Sequence, residues 1–236
     1  MLKVDFHTHT ADDPLDRIAY TPTDLIDRAA AQGYDALAIT LHDRQLDVRP
    51  LVPYAADRGI VLIPGVERTI EGKHVLLINF HRGTDAVRTF DDLARLKRDV
   101  SGLVIAPHPF YPLGACLRGR MDRHAGLFDA VEYNAMFTPS LNFNLRAVAW
   151  ARAHGKPMVG NGDIHRLRQL GTTFSLVDAA PDPDAICDAV MRGRVTVSCR
   201  PIGWIKAAGV MADMIVTDHI IGPLRQREPV LIPELR

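Results

Sequence analysis

The sequence contains few cysteines, no long apolar run and no excess of either charge. Its three cysteines, Cys116, Cys187 and Cys199, form no C-x-x-C pair, which argues against a disulfide framework and a thiolate zinc site. No apolar run approaches the ~20 residues that a membrane-spanning helix needs, and the amino terminus shows no signal-peptide pattern. We therefore expect a cytoplasmic protein with no membrane partner.

The charges are balanced, because 28 Lys and Arg residues match 28 Asp and Glu residues. Such a chain lacks the basic excess that is typical of nucleic-acid-binding proteins. Nucleic acid is therefore expected only as a short substrate, and the sequence indicates no oligomeric state. A length of 236 residues with 47% hydrophobic content predicts a single domain over 1–236. The chemically informative motifs lie within 1–200, and 201–236 is expected to form a C-terminal extension.

Short β-branched runs alternate with helical segments over the first 200 residues. Three helices have clear start signals at Thr21-Pro22, Pro139-Ser140 and Asp182-Pro183, each followed later by a glycine that ends the helix. This alternation predicts βα units arranged around a parallel sheet. The predicted strands are 2–6, 35–40, 60–64, 74–80, 103–106, 130–133, 158–160, 172–177 and 194–198.

Nearly every predicted strand is flanked by an imidazole or a carboxylate. In a closed βα barrel the carboxyl ends of the strands meet on one face, so side chains that are distant in sequence would converge there. His7 and His9 lie at i and i+2, on the same side of a strand, and can contact one ion together. The other polar side chains at strand ends are His42, Glu67, His74, His81, His108, Glu132, Asn134, Asp163 and His165.

Imidazoles and carboxylates without thiolates are a donor set that suits Zn, Mn or Fe. The donors are too many for one ion, so we expect two or three divalent ions that share bridging carboxylates. Closely spaced ions can hold a bridging hydroxide as nucleophile and neutralise charge on a phosphoryl group. We expect Glu132 to support the ligands from behind rather than to contact an ion.

Six motifs occur in an order that resembles the PHP (polymerase and histidinol phosphatase) family, in particular its small stand-alone metal-dependent phosphoesterases. They are DFHTHT, AITLHD, PGVE, HVLLINF, IAPHPF and NGDIHRLRQLG. The resemblance covers roughly residues 1–200. It implies an α/β fold, a distorted TIM-like (β/α)7 barrel, with a trinuclear metal centre that hydrolyses phosphoesters.

The resemblance also implies which side chains hold the ions, with two positions left open. On the fourth strand His74 is preferred to His81 because small members of the family begin this strand with histidine. In the loop after His9, Asp13 is preferred and Asp12 is the alternative. The implied metal ligands are His7, His9, Asp13, His42, Glu67, His74, His108, Asp163 and His165.

One motif departs from the family pattern: the usual Thr-Asp-His reads Thr40-Leu41-His42 here, so that Leu41 replaces the aspartate. Loss of an acid that supports a metal ligand can cost ~10–100-fold in affinity or activity, so we expect a weakened third site. Phosphate oxygens could be bound by Arg118, Arg120 and Arg166 through the planar guanidinium group, although each could equally be a solvated surface residue. His165 is the candidate for additional catalytic assistance.

The function predicted from these observations is a metal-dependent phosphoesterase acting on a small phosphorylated substrate, either a phosphomonoester or a short nucleotide. Two alternatives remain open. An amidohydrolase-like enzyme on a related barrel usually requires a lysine or a lone catalytic aspartate after the last strand, and no lysine is suitably placed here. A non-catalytic metal-binding or regulatory module is suggested by Leu41.

Overall fold

The computed structural model describes residues 1–204 and 208–209, and this part of the chain forms one nine-stranded sheet with helices around it. Most of the predicted C-terminal extension lies outside the described residues, so the single-domain assignment stays a prediction. Within the described part, no helix has the length and apolar character needed to cross a membrane.

The strands and helices alternate along most of the chain. The strands are β1 Leu2–Thr8, β2 Ala36–Ile39, β3 Val61–Ile70, β4 Lys73–Ile78, β5 Leu103–Ala106, β6 Ala130–Asn134, β7 Met158–Asn161, β8 Thr173–Val177 and β9 Val195–Cys199. The α-helices are α1 Pro22–Ala31, α2 Val52–Ala56, α3 Phe90–Asp99, α4 Arg120–Arg123, α5 Asn144–Ala153 and α6 Pro183–Met191.

The sheet is mixed, and the prediction of a parallel sheet is wrong for β4, β8 and β9. Strands β1 to β3 are parallel, as are β5 to β7, but β4 runs antiparallel to both of its neighbours. The reason is a tight hairpin in place of a crossover helix. Strand β3 continues to Ile70, and the connecting residues Glu71 and Gly72 have φ angles of 48° and 73°. Positive φ at both central residues is the geometry of a two-residue β-hairpin turn.

The sheet curls until β7 meets β1 and β8, which confirms the distorted TIM-like barrel. The segment after β7 joins β1 through an isolated parallel bridge between Thr8 and Ile164. At the next layer, the Ser175 hydroxyl of β8 accepts a hydrogen bond from the Gly160 amide and donates one to the Gly160 carbonyl, both at 3.0 Å. The backbones approach so closely here that a Cβ on Gly160 would lie 2.6 Å from the Phe174 carbonyl oxygen.

Apolar side chains fill the barrel and the layer between barrel and helices. Phe6, Ile63 and Ile105 lie in the interior cluster, which Ile186 and Val190 of α6 also join. Two outer clusters pack α1 and α2 against β2, and α3 and α5 against β4 to β6. Removal of this apolar surface from water is the main driving force for folding. The clusters therefore hold the ends of the strands firmly in place.

Two of the three predicted helix starts are observed. Thr21 caps α1 in a capping box with Asp24, and the Asp182 side chain accepts a hydrogen bond from the Ala185 amide at the start of α6. The third helix, α5, begins at Asn144 rather than near Pro139. Thr138 and Leu141 instead form a turn closed by hydrogen bonds of 3.0 and 3.1 Å, and this turn lies beside the cavity described below.

The close approach at Gly160 makes this residue important for closure of the barrel. We expect Gly160→Ala to lower the free energy of unfolding by about 1–3 kcal/mol, because the added methyl group must displace backbone. Gly126→Ala is the matched control, since a Cβ there meets nothing within 4 Å. Urea unfolding of both variants measures the difference, and equal midpoints would show that the approach is not tight in solution.

Candidate metal centre

Imidazoles and carboxylates from six strands and the loops that follow them converge at one rim of the barrel. His9 is the most crowded ring: its centroid lies 4.4 Å from that of His165, 4.6 Å from His42 and 5.2 Å from His7. A register shift in β1 between Asp5 and Thr8 redirects the strand just where it reaches the rim. The side chains brought together are His7, His9, Asp13, Asp16, His42, Glu67, His74, His108, Asp163 and His165.

Glu67 lies at the centre of this cluster and is only 1% exposed. Its Oε1 is 2.8 Å from His74 Nδ1 and 3.2 Å from His108 Nε2. Its other oxygen, Oε2, is 3.1–3.4 Å from the Nε2 atoms of His7, His9 and His42. The two oxygens of one carboxylate therefore face two separate groups of imidazoles, which is the arrangement expected of a bridging ligand.

The direction of β4 explains why His74 reaches the cluster and His81 does not. Since β4 runs antiparallel to its neighbours, its first residues lie at the rim where the parallel strands end. Thr69 near the end of β3 pairs with His74, whereas Gly65 pairs with Ile78. His81 is exposed beyond the opposite end of β4. The placement agrees with the preference for His74, although ligation itself stays a prediction.

Two buried nitrogens in the cluster lack a hydrogen-bond partner, which tests whether the site fits a metal. The Nε2 atoms of His7 and His9 are inaccessible to solvent and make no hydrogen bond. Both nonetheless point at Glu67 and Asp163 oxygens 3.2–3.7 Å away, in an orientation that does not suit a hydrogen bond. Buried polar atoms without partners are rare. Lone pairs aimed at shared carboxylates suit a divalent cation, and the donor set fits one.

Several overlapping groups of donor atoms have the spacing that a metal ion needs. In each group the atoms lie within 4.8 Å of one another, and Glu67, His42 or His7 is shared between groups. The groups are His7–His9–Glu67, His7–His108–Asp163, His42–Glu67–His74, His9–His42–His165 and Asp13–Asp16–His42. The arrangement therefore suits a divalent metal centre.

Glu132 supports the cluster from behind. Its Oε2 lies 2.8 Å from His7 Nδ1, the nitrogen that faces away from Glu67, and the carboxyl group is fully buried. It also accepts hydrogen bonds from the His108 amide and from the side-chain amides of Asn134 and Asn161. Such contacts fix the tautomer and the ring orientation of a metal-binding histidine. This position matches the supporting role expected of Glu132.

The loop after β1 contributes two acids, one of which the sequence did not single out. Asp13 Oδ2 lies 2.9 Å from His9 Nδ1 and 3.0 Å from His42 Nδ1, so Asp13 orients two rings from behind. Asp16, which was not predicted, places Oδ2 2.8 Å from His165 Nε2. The signal was present, since ADDPLD contains a third acid, but its spacing alone gave no reason to choose it. Asp12 contributes no donor to these groups.

The three arginines proposed to bind phosphate do not line the cavity above the cluster, as far as the described residues show. Arg118 Nε donates to the Tyr111 carbonyl at 3.3 Å, and Arg120 forms an ion pair with Glu71 at 3.1 Å. Arg166 donates to the His165 carbonyl at 2.9 Å. Each guanidinium group thus has a partner within the protein, and phosphate binding by these three arginines stays a prediction.

Leu41 does not face the histidines. Its side chain is fully buried in an outer apolar cluster with Leu25 and Ile39, and its carbonyl accepts a hydrogen bond from the Glu67 amide at 3.1 Å. The residue thus supports the position of Glu67 through its backbone. The predicted weakening of a third metal site is not addressed by this packing and stays a prediction.

Buried charges shift the protonation of the cluster. Against the opposing effect of burial, Asp163 and Glu67 raise the pKa of His7 well above its usual value. Burial also disfavours the protonated form of His42, but Asp13 and Glu67 outweigh this effect and raise the pKa of His42 to about 9. Burial and the neighbouring His165 lower the pKa of His9 to about 4. Without metal, therefore, some of these imidazoles carry protons that an incoming cation must displace.

Comparisons with known proteins agree with this geometry. The family model described as PHP-associated matches residues 142–195. A 3',5'-nucleoside bisphosphate phosphatase from Chromobacterium violaceum is 40% identical over 74 residues, which are 31% of this chain and 24% of the relative. The match thus spans about a quarter of the relative's length.

Solved structures share the fold. A two-domain protein from Bacteroides vulgatus, described as containing a predicted PHP-like metal-dependent phosphoesterase, superimposes with a TM-score of 0.65 at 20% identity, covering 90% of this chain and 69% of that one. PsfC from Pseudomonas syringae gives a TM-score of 0.62 at 18% identity, covering 90% and 96%. The resemblance of this chain to the PHP family is confirmed.

The contact between Glu132 and His7 leads to a testable prediction about metal affinity. We expect Glu132→Gln to weaken metal binding by ~10–100-fold, because a neutral amide orients His7 less strongly and does not raise the basicity of its imidazole as the carboxylate does. Asp129→Asn is the control, because Asp129 directly precedes β6, the strand that carries Glu132, but pairs with Lys97 at 2.7 Å and belongs to none of the donor groups. Metal titration of the chelator-treated proteins measures both, and equal affinities would contradict the supporting role.

The raised pKa of His42 predicts a pH dependence of the metal-free protein. His42 has a pKa of about 9 in the folded chain and about 6.5 when unfolded, so its protonation stabilises the fold fully below pH 6.5. That contribution is lost as the pH rises through 9. Affinity for Mn²⁺ should rise over the same window, by up to ~tenfold per pH unit for each proton displaced. Urea unfolding and Mn²⁺ titration at several pH values test both trends, and flat profiles would contradict them.

Proposed function

We propose that this chain is a metal-dependent phosphoric ester hydrolase that acts on a phosphomonoester or a short nucleotide. The observation that carries the proposal is the buried carboxylate of Glu67, whose two oxygens face two groups of imidazoles at the base of a cavity. The similarity to PHP-like phosphoesterases and to the Chromobacterium phosphatase supports the reaction class.

We assign the ligands of two or three Mn, Zn or Fe ions as follows. Glu67 would be shared between ions through its two oxygens, and we prefer Asp16 to Asp13 as the loop ligand because Asp16 Oδ2 lies 2.8 Å from His165 Nε2. Divalent ions in such a site supply a nucleophile at neutral pH and neutralise charge on the phosphoryl group. The proposed ligands are His7, His9 and Asp163 for the first ion, His74 and His108 for the second, and His42, His165 and Asp16 for the third.

The other residues of the site position these donors. Glu132 holds the Nδ1 proton of His7, and Asp13 does the same for His9 and His42, so that each Nε2 faces the cavity side of the cluster. His165 lies at the cavity surface beside Asp16, where its imidazole would be close to a bound substrate and would assist catalysis. This is the role proposed for His165 in addition to ligation.

The chain offers a matched pair of histidines for testing the proposal. We expect His74→Asn to lower the metal content and to reduce hydrolysis of 4-nitrophenyl phosphate with Mn²⁺ by at least ~100-fold, since a ligand lost from the centre costs more than a supporting contact. His81→Asn, at the exposed far end of the same strand, should change neither. Elemental analysis and steady-state kinetics provide the measurements.

The outcomes separate the proposal from its rivals. Metal bound by the wild-type protein without turnover of any phosphoester would favour a non-catalytic module. Turnover of amides or lactams in place of phosphoesters would favour an amidohydrolase-like enzyme. Equal effects of the two histidine variants would remove His74 from the proposed ligands.

A further inference from the structure

The cavity above the cluster has a polar base and apolar walls. It encloses about 670 Å³, a volume typical of small-molecule sites. The base is formed by the cluster, including Glu67, His108 and Asp163. The walls come from three loops, which follow β5, β6 and β9. Their apolar and aromatic side chains are Tyr111, Leu113, Met136, Phe137, Leu141, Phe143, Ile202 and Trp204.

The polar groups in these walls are already engaged within the protein. The Tyr111 hydroxyl donates to the Met136 carbonyl at 2.9 Å. The Thr138 hydroxyl accepts from the Leu141 amide at 3.1 Å. Gln169 uses its oxygen for the His165 amide and its nitrogen for the Asp163 carbonyl. A ligand therefore contacts the walls chiefly through apolar groups, because few groups in the walls are left to form hydrogen bonds with polar substituents.

Charge in the cavity is confined to the base. Among the described residues that line it, none is a lysine or an arginine. A second phosphate or a carboxylate on the ligand would thus lose its water against apolar walls without gaining a cationic partner, which is unfavourable. In addition, Leu113, Leu141 and Trp204 are 54%, 46% and 56% exposed at the mouth, so a ligand would remove apolar surface from water there.

We infer that this site takes the monophosphate ester of an aromatic, apolar alcohol, with the phosphoryl group at the base and the ring between the walls. The inference rests on the proposed function and narrows its substrate class. The inferred substrate carries one phosphate, whereas the Chromobacterium relative is named for a bisphosphate substrate. The recognition element is the set of wall side chains, and Leu141 and Trp204 determine specificity at the mouth.

Benzyl phosphate and glycerol 3-phosphate test this inference, because both are monophosphate esters of primary alcohols, one with an apolar ring and the other with two hydroxyl groups. Burial of the ring should give benzyl phosphate a kcat/KM higher by about tenfold or more. Leu141→Asn should remove most of this advantage by lowering kcat/KM for benzyl phosphate, while its backbone keeps the turn with Thr138. Leu145→Asn is the control, since Leu145 is 65% exposed on α5 and does not line the cavity.

A binding measurement distinguishes failure of the inference from failure of the proposed function. Benzylphosphonate, which cannot be hydrolysed at its C–P bond by this chemistry, should alter the fluorescence of Trp204 in the metal-loaded protein, and Trp204→Phe should abolish the change. Methylphosphonate should bind at least about tenfold more weakly. Ring-dependent binding without hydrolysis of any phosphoester would overturn the proposed function and keep the inference. Equal affinity for the two phosphonates, or equal kcat/KM for the two esters, would overturn the inference.

Discussion

The buried carboxylate of Glu67 is the constraint on which the rim of this barrel depends. A carboxylate that is removed from water needs opposite charge or hydrogen-bond donors close by, and here five imidazoles from four segments of the chain surround it. Positive charge on the neighbouring His7 and His74 holds the pKa of Glu67 well below its usual value, although burial opposes this. The strands must therefore deliver their polar residues to one place, or the charge is left without compensation.

The fold meets this requirement with an irregular sheet. A regular βα barrel would bring the carboxyl end of its fourth strand to the rim, but the β3–β4 hairpin brings the amino end instead. Glu67 and His74 then face each other across a tight turn, only a few residues apart in sequence. The register shift in β1 serves a related purpose, because it lets Phe6 pack in the core while His7 and His9 both reach the cluster.

The sequence predicted the convergence of the polar residues because nearly every strand carries one at its end, and that pattern depends only on barrel geometry. It did not predict the direction of β4, since a run such as HVLLINF looks the same whichever way the strand lies. Asp16 was missed because loop conformation, rather than spacing, brings it to His165. The walls of the cavity were missed for a similar reason: apolar residues such as Leu141 and Phe143 resemble core residues until the position of their loop is known.

A metal ion at this centre would also stabilise the barrel, because its ligands lie on both sides of the point where the barrel closes. In the described part of the chain, β1 and the segment after β7 are joined by an isolated bridge between Thr8 and Ile164. His7 and Asp163 stand on opposite sides of this seam, 3.4 Å apart at their nearest atoms. An ion held by both would act as a cross-link between chain segments more than 150 residues apart, and a cross-link across so long a loop restricts the unfolded chain strongly. The availability of metal in the surroundings would then govern how long the protein persists, as well as how fast it works.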